Sequence, residues 1–469
     1  MHLPSYAGQF WRQRKSKKIK PVGIIVWCVL YAGIVSGANE TRPNVLLIVV
    51  DDLRDHEMFS GLNQVAMPNL DRLAAKGLKF SNAYCQATFC NPSRTSFLTG
   101  LRPNTTGVHD NRAFFRQSKN RAVAQAITLP QHFRQNGYYT ASLGKILHGK
   151  QMDPLSWDLQ INSFPESLAG RRGDPVNMTD GVIRWCRWRA PDCADADLQD
   201  GQAALKAIEI LEEKRDRPFF LAVGFKKPHD PFVAPKRYFD RYPLKNLRLH
   251  IDPADASPLP PMAIPDSATK RAFAAMDDQD RLEFLRCYAA CSTFTDTQIG
   301  KVLDAMDRLE LWRNTIVMAW SDHGYHQGER GWWNKTLLFD YDARVPFLVS
   351  IPGMTDRGAV CTGVIELVDV FPTVAELAGL NVPRELEGTS FVPLIQDPMR
   401  VWNQVAYTQS KEGRNLSVCN GRFRYTKWAD GAVEFYDHDS DPGEWYNQSN
   451  NPAYGAVIEE LAAKLLRHP

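Results

Sequence analysis

Apolar runs at Val45–Val50, Tyr139–Leu143, Phe219–Phe225, Thr315–Trp320 and Phe347–Ile351 punctuate a chain whose intervening stretches repeat apolar positions every three or four residues. Runs of that length, β-branched and without polar alternation, predict strands buried on both faces. Pro68–Leu78 aligns Leu70, Leu73, Ala74 and Leu78, and Tyr288–Leu309 aligns Tyr288, Thr295, Ile299, Val302, Met306 and Leu309, so each predicts a helix with one apolar face. The alternation predicts an α/β fold, a large mostly parallel sheet flanked by helices on both faces. After about residue 395 the pattern shortens to Val405–Tyr407, Arg424–Trp428 and Val433–Tyr436, then a turn at Asp441-Pro442-Gly443-Glu444 and a helix through Ile458–Leu466. That reads as a smaller C-terminal subdomain of antiparallel sheet plus helix, residues 396–469, behind a main domain of residues 39–395. Residues 226–280, rich in Pro, Asp and Lys, read as a surface excursion and a source of substrate contacts.

The N-terminus changes the charge picture. Six basic residues, Arg12, Arg14, Lys15, Lys17, Lys18 and Lys20, precede an apolar run from Val22 to Val35 that ends at Ser36-Gly37-Ala38. Basic, apolar and small residues in that order predict a secretory signal over residues 1–38, cleaved after Ala38, in preference to a retained membrane anchor. Its loss turns the formal +3 of the whole chain into about −3. No global basic field then favours nucleic acid, no stable membrane partner is implied, and an anionic substrate needs a local cluster. Export permits disulfides. Cys186 and Cys193, in one polar Trp-rich loop, are the expected bridge, whereas Cys287 and Cys291 sit four apart on a predicted helix and read as packing. Sequons stand at Asn39, Asn104, Asn177, Asn334, Asn415 and Asn447.

Chemistry-bearing residues follow the predicted strands. Asp51 and Asp52 come after the first, Lys145 and His148 after the second, Lys227 and His229 after the third, and Asp322 and His323 after the fourth. In an open α/β sheet such strand ends converge on one crevice. Paired carboxylates there suit a hard divalent cation, Ca²⁺ or Mg²⁺; the lesser alternative is that Asp51-Asp52 caps the next helix and Asp322 shapes a turn. His323 is a less natural ligand for a hard ion than for zinc or manganese. Cys90-Asn91-Pro92-Ser93-Arg94, closed by Leu98-Thr99-Gly100, reads as a loop entering a helix N-terminus, where backbone donors and the dipole favour an oxyanion. Trp333, beside Trp332 and Lys335, offers a face on which a sugar could stack, and core packing is its equal alternative. Arg344 would meet a carboxylate of the substrate or bridge to an acidic neighbour.

The Cys90-x-Pro-Ser-Arg stretch with Leu98-Thr99-Gly100 resembles the signature of the type I sulfatases, formylglycine-dependent members of the alkaline phosphatase superfamily. The likeness to the iduronate-2-sulfatase branch extends through Asn44–Arg54, Leu143-Gly144-Lys145 with His148, Lys227-Pro228-His229, Ser321–Gly331 with Lys335, and Phe435-Tyr436-Asp437 to Asn447. That branch carries histidine at the place of His323, where many sulfatases have asparagine. The resemblance implies oxidation of Cys90 to formylglycine by a formylglycine-generating enzyme, and one Ca²⁺, with Mg²⁺ the alternative, held by Asp51, Asp52, residue 90, Asp322 and His323. It implies further that Arg94, Lys145, His148, His229 and Lys335 bind or protonate a sulfate ester. The substrate implied is a sulfated sugar or oligosaccharide, with the 2-O-sulfate of a terminal uronate as leading expectation. The competing readings are another polysaccharide sulfate such as an algal one, a phosphoester or phosphonate, and a non-catalytic carbohydrate-binding protein.

Overall fold

Every residue of the strand Asn44–Val50 is buried, because it lies inside an eight-stranded sheet covered on both faces. The computed structural model describes residues 42–55 and 65–466, so the leader, the Ala38 cleavage position, Cys28 and Asn39 lie outside the described residues. In chain order the sheet comprises β1 (Asn44–Val50), β2 (Leu78–Phe80), β3 (Tyr139–Gly144), β4 (Leu159–Ile161), β5 (Phe219–Phe225), β6 (Thr315–Ser321), β7 (Phe347–Ser350) and β8 (Ala359–Cys361). Their spatial order is β8-β2-β7-β6-β1-β5-β3-β4. All neighbours pair in parallel except β7, antiparallel to both β6 and β2. No helix of crossover length joins β6 to β7, and the direct return of residues 322–346 reverses the strand.

Alternate side chains of β1 feed two cores. Val45, Leu47 and Val49 pack with Phe97, Phe133, Trp320 and Phe371, while Leu46, Ile48 and Val50 pack with Ala203, Ala207, Ile299, Val302 and Met306. The second set comes from the helices α3 (Gln199–Lys214) and α4 (Asp278–Arg308), joined on that face by Leu73 of α1 (Pro68–Lys76). On the opposite face lie α2 (Cys90–Thr99) and α5 (Val370–Leu377). Burying about 50 Å² of apolar area per residue face is worth roughly 1 kcal/mol, so a strand apolar on both faces is driven to the middle of the sheet.

The C-terminal segment forms a separate sheet of four antiparallel strands, Ala406–Ser410, Asn415–Cys419, Phe423–Lys427 and Val433–Asp437, paired in chain order. Leu461 and Leu465 of α6 (Gly455–Leu466) cover it against Val418, Tyr425 and Phe435. Residues 226–280 correct the surface-loop expectation. Phe232, Tyr238, Phe239 and Phe273 are buried there with Phe284 and Trp333 in a third core, and Ala268–Ala275 is helical.

The bridge expected between Cys186 and Cys193 is not formed; both are free thiols. Cys186 is buried beside Met178, whereas the strand Arg187–Arg189, paired with Phe232–Val233, runs extended between the two and carries Cys193 onward to a carbonyl contact with Arg237. Among the described residues no helix is long and apolar enough to cross a membrane.

Candidate active site

The parallel strands β1, β3, β5 and β6 end on one edge of the sheet, and the residues that leave them meet there. β1 delivers Asp51 and Asp52, both fully buried, with Asp52 in the left-handed region at φ 66°. Tyr288 of α4 holds that turn by donating its hydroxyl to the Asp52 carbonyl at 2.5 Å and accepting from the Arg54 amide at 2.9 Å. Strain of that kind in a non-glycine residue persists only where the surroundings enforce it. β6 delivers Asp322 and His323. Ser321 fastens this end by donating its one hydroxyl proton to the His323 carbonyl at 2.7 Å, with the Val50 carbonyl a second acceptor at 3.1 Å, and by accepting from the Leu53 amide at 2.9 Å. The Asp322 carboxylate accepts the Asp52 and His323 amides, each at 3.1 Å.

Cys90 opens α2 directly opposite these ends, and all ten residues of that helix are buried. Its Sγ lies 3.2 Å from Lys335 Nζ, 3.7 Å from Lys145 Nζ, 3.4 Å from His323 Nε2 and 3.9 Å from Asp52 Oδ1. Lys145 also donates to Asp51 and Lys335 to Asp52. Burial disfavours every charge in this group, and the pairing decides which forms survive. Asp51 is held well below the usual carboxylate range because Lys145, His229, Arg94 and Lys335 outweigh its desolvation. Asp52 is raised, burial prevailing over Lys335 with Asp51 adding to the rise. Burial likewise pushes the Cys90 thiol up. Lys145 and Lys335 are both raised despite burial, each by its carboxylate partner.

One donor atom is left over. Asp52 Oδ2 is buried and accepts no hydrogen bond, and it belongs to a set in which Asp51, Asp52, Cys90 and His229, and likewise Asp51, Cys90, Asp322 and His323, present ligand atoms within 4.8 Å of one another. An orphan carboxylate oxygen in an oxygen-rich set fits a hard divalent cation. His323 turns its Nδ1 to the Gly324 carbonyl at 2.9 Å, which leaves Nε2 facing Asp52 and Cys90. A further buried group, Asp340, Cys419 and His438, lies at the C-terminal sheet, where Arg424 and Arg344 pair with Asp340 and Glu444 contacts His438.

Two histidines border the pair of lysines. His229 commits Nδ1 to the Asp230 carbonyl at 2.6 Å, and burial together with Lys145 and Lys335 drives its pKa well below the ordinary value. Its loop is pinned from behind. Lys227 Nζ donates to the carbonyls of His229 at 2.7 Å and Pro231 at 2.6 Å, while Asp200 of α3 accepts the Lys226 and Lys227 amides at 3.0 and 2.8 Å. His148 is lowered to about 4 by burial, Lys145 and Arg94, and its Nδ1 is buried with no partner.

Three expected contacts are corrected. Arg94 is fully buried and spends its guanidinium on Asp322 at 2.9 Å, on Asp51 at 3.0 Å and on the carbonyls of Lys145 and Ile146, so it orients carboxylates and offers no fork to an anion. Arg344 is paired with Asp340 at 2.7 Å and donates to Ser81 O and Tyr84 Oη, remote in its contacts from Cys90. Trp333 is 3% exposed and packs on Phe284 at 5.1 Å between ring centroids, leaving no face for a sugar. Lys227, marked in the sequence as a strand-end residue, serves as a loop anchor, whereas Tyr288, Ser321 and Asp200 were not singled out for the site. Of these three, Tyr288 carried a signal, a hydroxyl on a mostly apolar helix face.

Comparisons with known proteins bear on this geometry. A family model described as Sulfatase matches residues 43–380, and one described as N-sulphoglucosamine sulphohydrolase, C-terminal, matches residues 328–468. The chain is 35% identical to an iduronate 2-sulfatase of Mus musculus, covering 93% of this chain and 96% of the relative. It is 32% identical to a sulfatase of Formosa agariphila, covering 90% and 86%. A solved structure of a protein in complex with its substrate, D-glucosamine-2-N,6-O-disulfate, superposes with a TM-score of 0.71 at 22% identity, covering 91% of this chain and 97% of that one.

Proposed function

The chain belongs to the sulfatase family and is a sulfuric ester hydrolase, and from that premise we propose that it removes the 2-O-sulfate of a terminal uronate in a sulfated carbohydrate. The observation that carries the mechanism is the position of Cys90 Sγ at a helix N-terminus between the ammoniums of Lys145 and Lys335, at 3.7 and 3.2 Å, beside Asp52. Formylglycine at position 90, once made from the cysteine, would supply as its hydrate a geminal hydroxyl for attack at sulfur. Asp51, Asp52, Asp322 and His323 would hold one divalent cation, calcium in our reading, which supplies positive charge to the oxygens gathered there.

The chain's own groups do the rest. Lys145 and Lys335 flank the sulfuryl oxygens and neutralise them in a site from which water is largely excluded, where each charge counts for more than in solution. Arg94 keeps the Asp51 and Asp322 carboxylates in place. His229 presents Nε2 to the leaving oxygen, since Nδ1 is tied to Asp230. The same lysines that depress its pKa face the anion when an ester is bound, and that charge raises it, so the imidazolium forms with the substrate in place. His148, neutral above about pH 4, is free to accept a proton on its unpartnered Nδ1. The uronate assignment is supported by the 35% identity to iduronate 2-sulfatases over nearly the whole chain and by His323. We read the leader as directing export through the secretory pathway.

The test is sulfate release from defined saccharides, with an aryl sulfate and a phenyl phosphonate as references. A kcat/KM for terminal 2-O-sulfated uronate at least about tenfold above that for 6-O-sulfated glucosamine and algal sulfates is expected, the scale of one well-made polar contact. A preference for any other sulfated position overturns the assignment, and faster phosphonate hydrolysis overturns the sulfate chemistry.

A further inference from the structure

Beside the α2 N-terminus opens a cavity of about 370 Å³. Its wall includes Phe89 and Pro92, close to Cys90 in the chain, Thr336, which follows Lys335, and His109, Gln409 and Lys411. The last two come from the C-terminal sheet, so the cavity is shared between that sheet and the segments that build the reactive site. We propose that it is the subsite for a second pyranose ring joined to the sulfated residue, with Lys411 meeting an anionic substituent on that ring. The inference rests on the sulfatase reading above and names the part of the substrate that this reading leaves unassigned.

Gln409 supplies the first observation. It is 3% exposed, its Nε2 lies 3.3 Å from His109 Nδ1, and its Oε1 is buried with no partner. Burying an amide oxygen without a donor is unfavourable, and a hydroxyl of a bound ring is the donor that relieves it. The space suits such a ring, being at the lower end of small-molecule cavities, which run from roughly 300 Å³.

The turn beside it supplies the second. Between Ser410 and Asn415, the last paired residues of the hairpin, Lys411, Glu412 and Gly413 all have left-handed backbone, with φ 47°, 58° and 74°. Hairpin turns of this handedness normally use Asn and Gly, because a β-carbon is crowded there. Lys411 and Glu412 both line the cavity, so two side chains are held in a strained conformation where they face it. An outlier of that kind motivates a functional role. Glu412 turns to Arg414 at 3.9 Å, whereas the Lys411 ammonium meets only the Met262 thioether, at 3.6 Å, and forms no ion pair among the described residues. An ammonium without a counterion at the rim of a cavity with an orphan acceptor is complementary to a hydroxylated, negatively charged ring.

Calorimetry on the full chain carrying Cys90→Ala tests this without turnover. The ligands are the disaccharide of 2-O-sulfated uronate linked to N-sulfoglucosamine, and the methyl glycoside of the 2-O-sulfated uronate alone. The disaccharide is expected to bind at least about tenfold more tightly, the scale of one charge-assisted hydrogen bond. Adding Lys411→Asn with Glu412→Gly should bring the two ligands within about twofold while the thermal midpoint rises, since the relaxed turn residues remove strain. Equal affinities in the parent, binding of neither ligand, a preference that survives the double substitution, or a midpoint that falls each overturns the subsite. Hydrolysis of an aryl sulfate by enzyme without the Cys90→Ala change, its residue 90 converted to formylglycine, should be unaffected by the two turn substitutions, since an aryl sulfate has no second ring, and a matching loss there also overturns it. Failure of the sulfatase reading shows separately, as absence of aryl sulfate turnover when residue 90 has been converted.

Discussion

Cys90 is surrounded by groups that a structural thiol does not need: two ammoniums, three buried carboxylates and two imidazoles, all brought together at net desolvation cost. Desolvating so many charges is sustained only by their mutual pairing, and such concentrations are characteristic of reactive sites. Cys90→Ala should leave the unfolding free energy from urea titration within about 1 kcal/mol of the parent, as an interior change that removes a single atom does, and abolish sulfate release. His229→Ala should slow sugar sulfates by about 10² or more and aryl sulfates by less than about tenfold, because only the poor leaving group needs a proton from Nε2. Equal losses on both substrates would take the acid role from His229. At this scale the motif and the strand ends in the sequence marked the carboxylates, lysines and histidines that the fold gathers around Cys90. It placed Arg94 on the substrate and left Arg344 and Trp333 divided between substrate and structure, because residue type does not reveal whether a side chain's hydrogen bonds or faces are already taken by the fold.

Strand ends set the distances in the site, and the close approach of β3 and β5 is the clearest case. Gly144 has φ 70°, and a β-carbon there would lie 2.1 Å from the Gly224 carbonyl oxygen, the same oxygen that accepts the Lys145 amide at 2.8 Å. Gly144→Ala is therefore expected to lower stability by about 3 kcal/mol in urea titration and to cut sulfate release further by moving Lys145 from Asp51. Unchanged stability would show that the strands can part. The long, doubly buried strands were legible because a run of apolar residues such as the six from Val45 to Val50 has few other places to go. β2, β4 and β8, three residues each, carry no readable period. Asn415–Cys419 escaped notice because its inward Ser417 is polar and is satisfied by Arg424 at 3.0 Å, which no local pattern announces.

Across the whole molecule, a buried ion cluster ties the C-terminal sheet to the chain around Asp340. Arg424 of that sheet donates to Asp340, to Glu444 at 2.6 Å and to Ser417, and His438 contacts Glu444 at 2.8 Å. Arg424→Met should cost about 3 kcal/mol in denaturant unfolding, since it removes the cation shared by two buried carboxylates and leaves Asp340 to Arg344 and Glu444 to His438 alone. Burial opposes the His438 imidazolium, yet Asp340, Cys419 and Glu444 raise its pKa to about 10 from an ordinary 6.5. Its contribution to stability is thus complete below about pH 6.5 and is lost as pH rises toward 10, so unfolding free energy should fall over that window and His438→Gln should flatten the decline. A decline unchanged by that substitution would assign it elsewhere. The α/β class and the C-terminal antiparallel sheet were legible from period alone, whereas these long-range ion pairs were not, because their partners lie far apart in sequence. The most direct measurement concerns residue 90 itself: the mass of the peptide 80–102 from protein made with a maturation enzyme, against sulfate release by the same preparation. Conversion to formylglycine lowers the mass by about 18 Da, and turnover is expected to scale with the converted fraction; full turnover by protein that retains the intact thiol would contradict it.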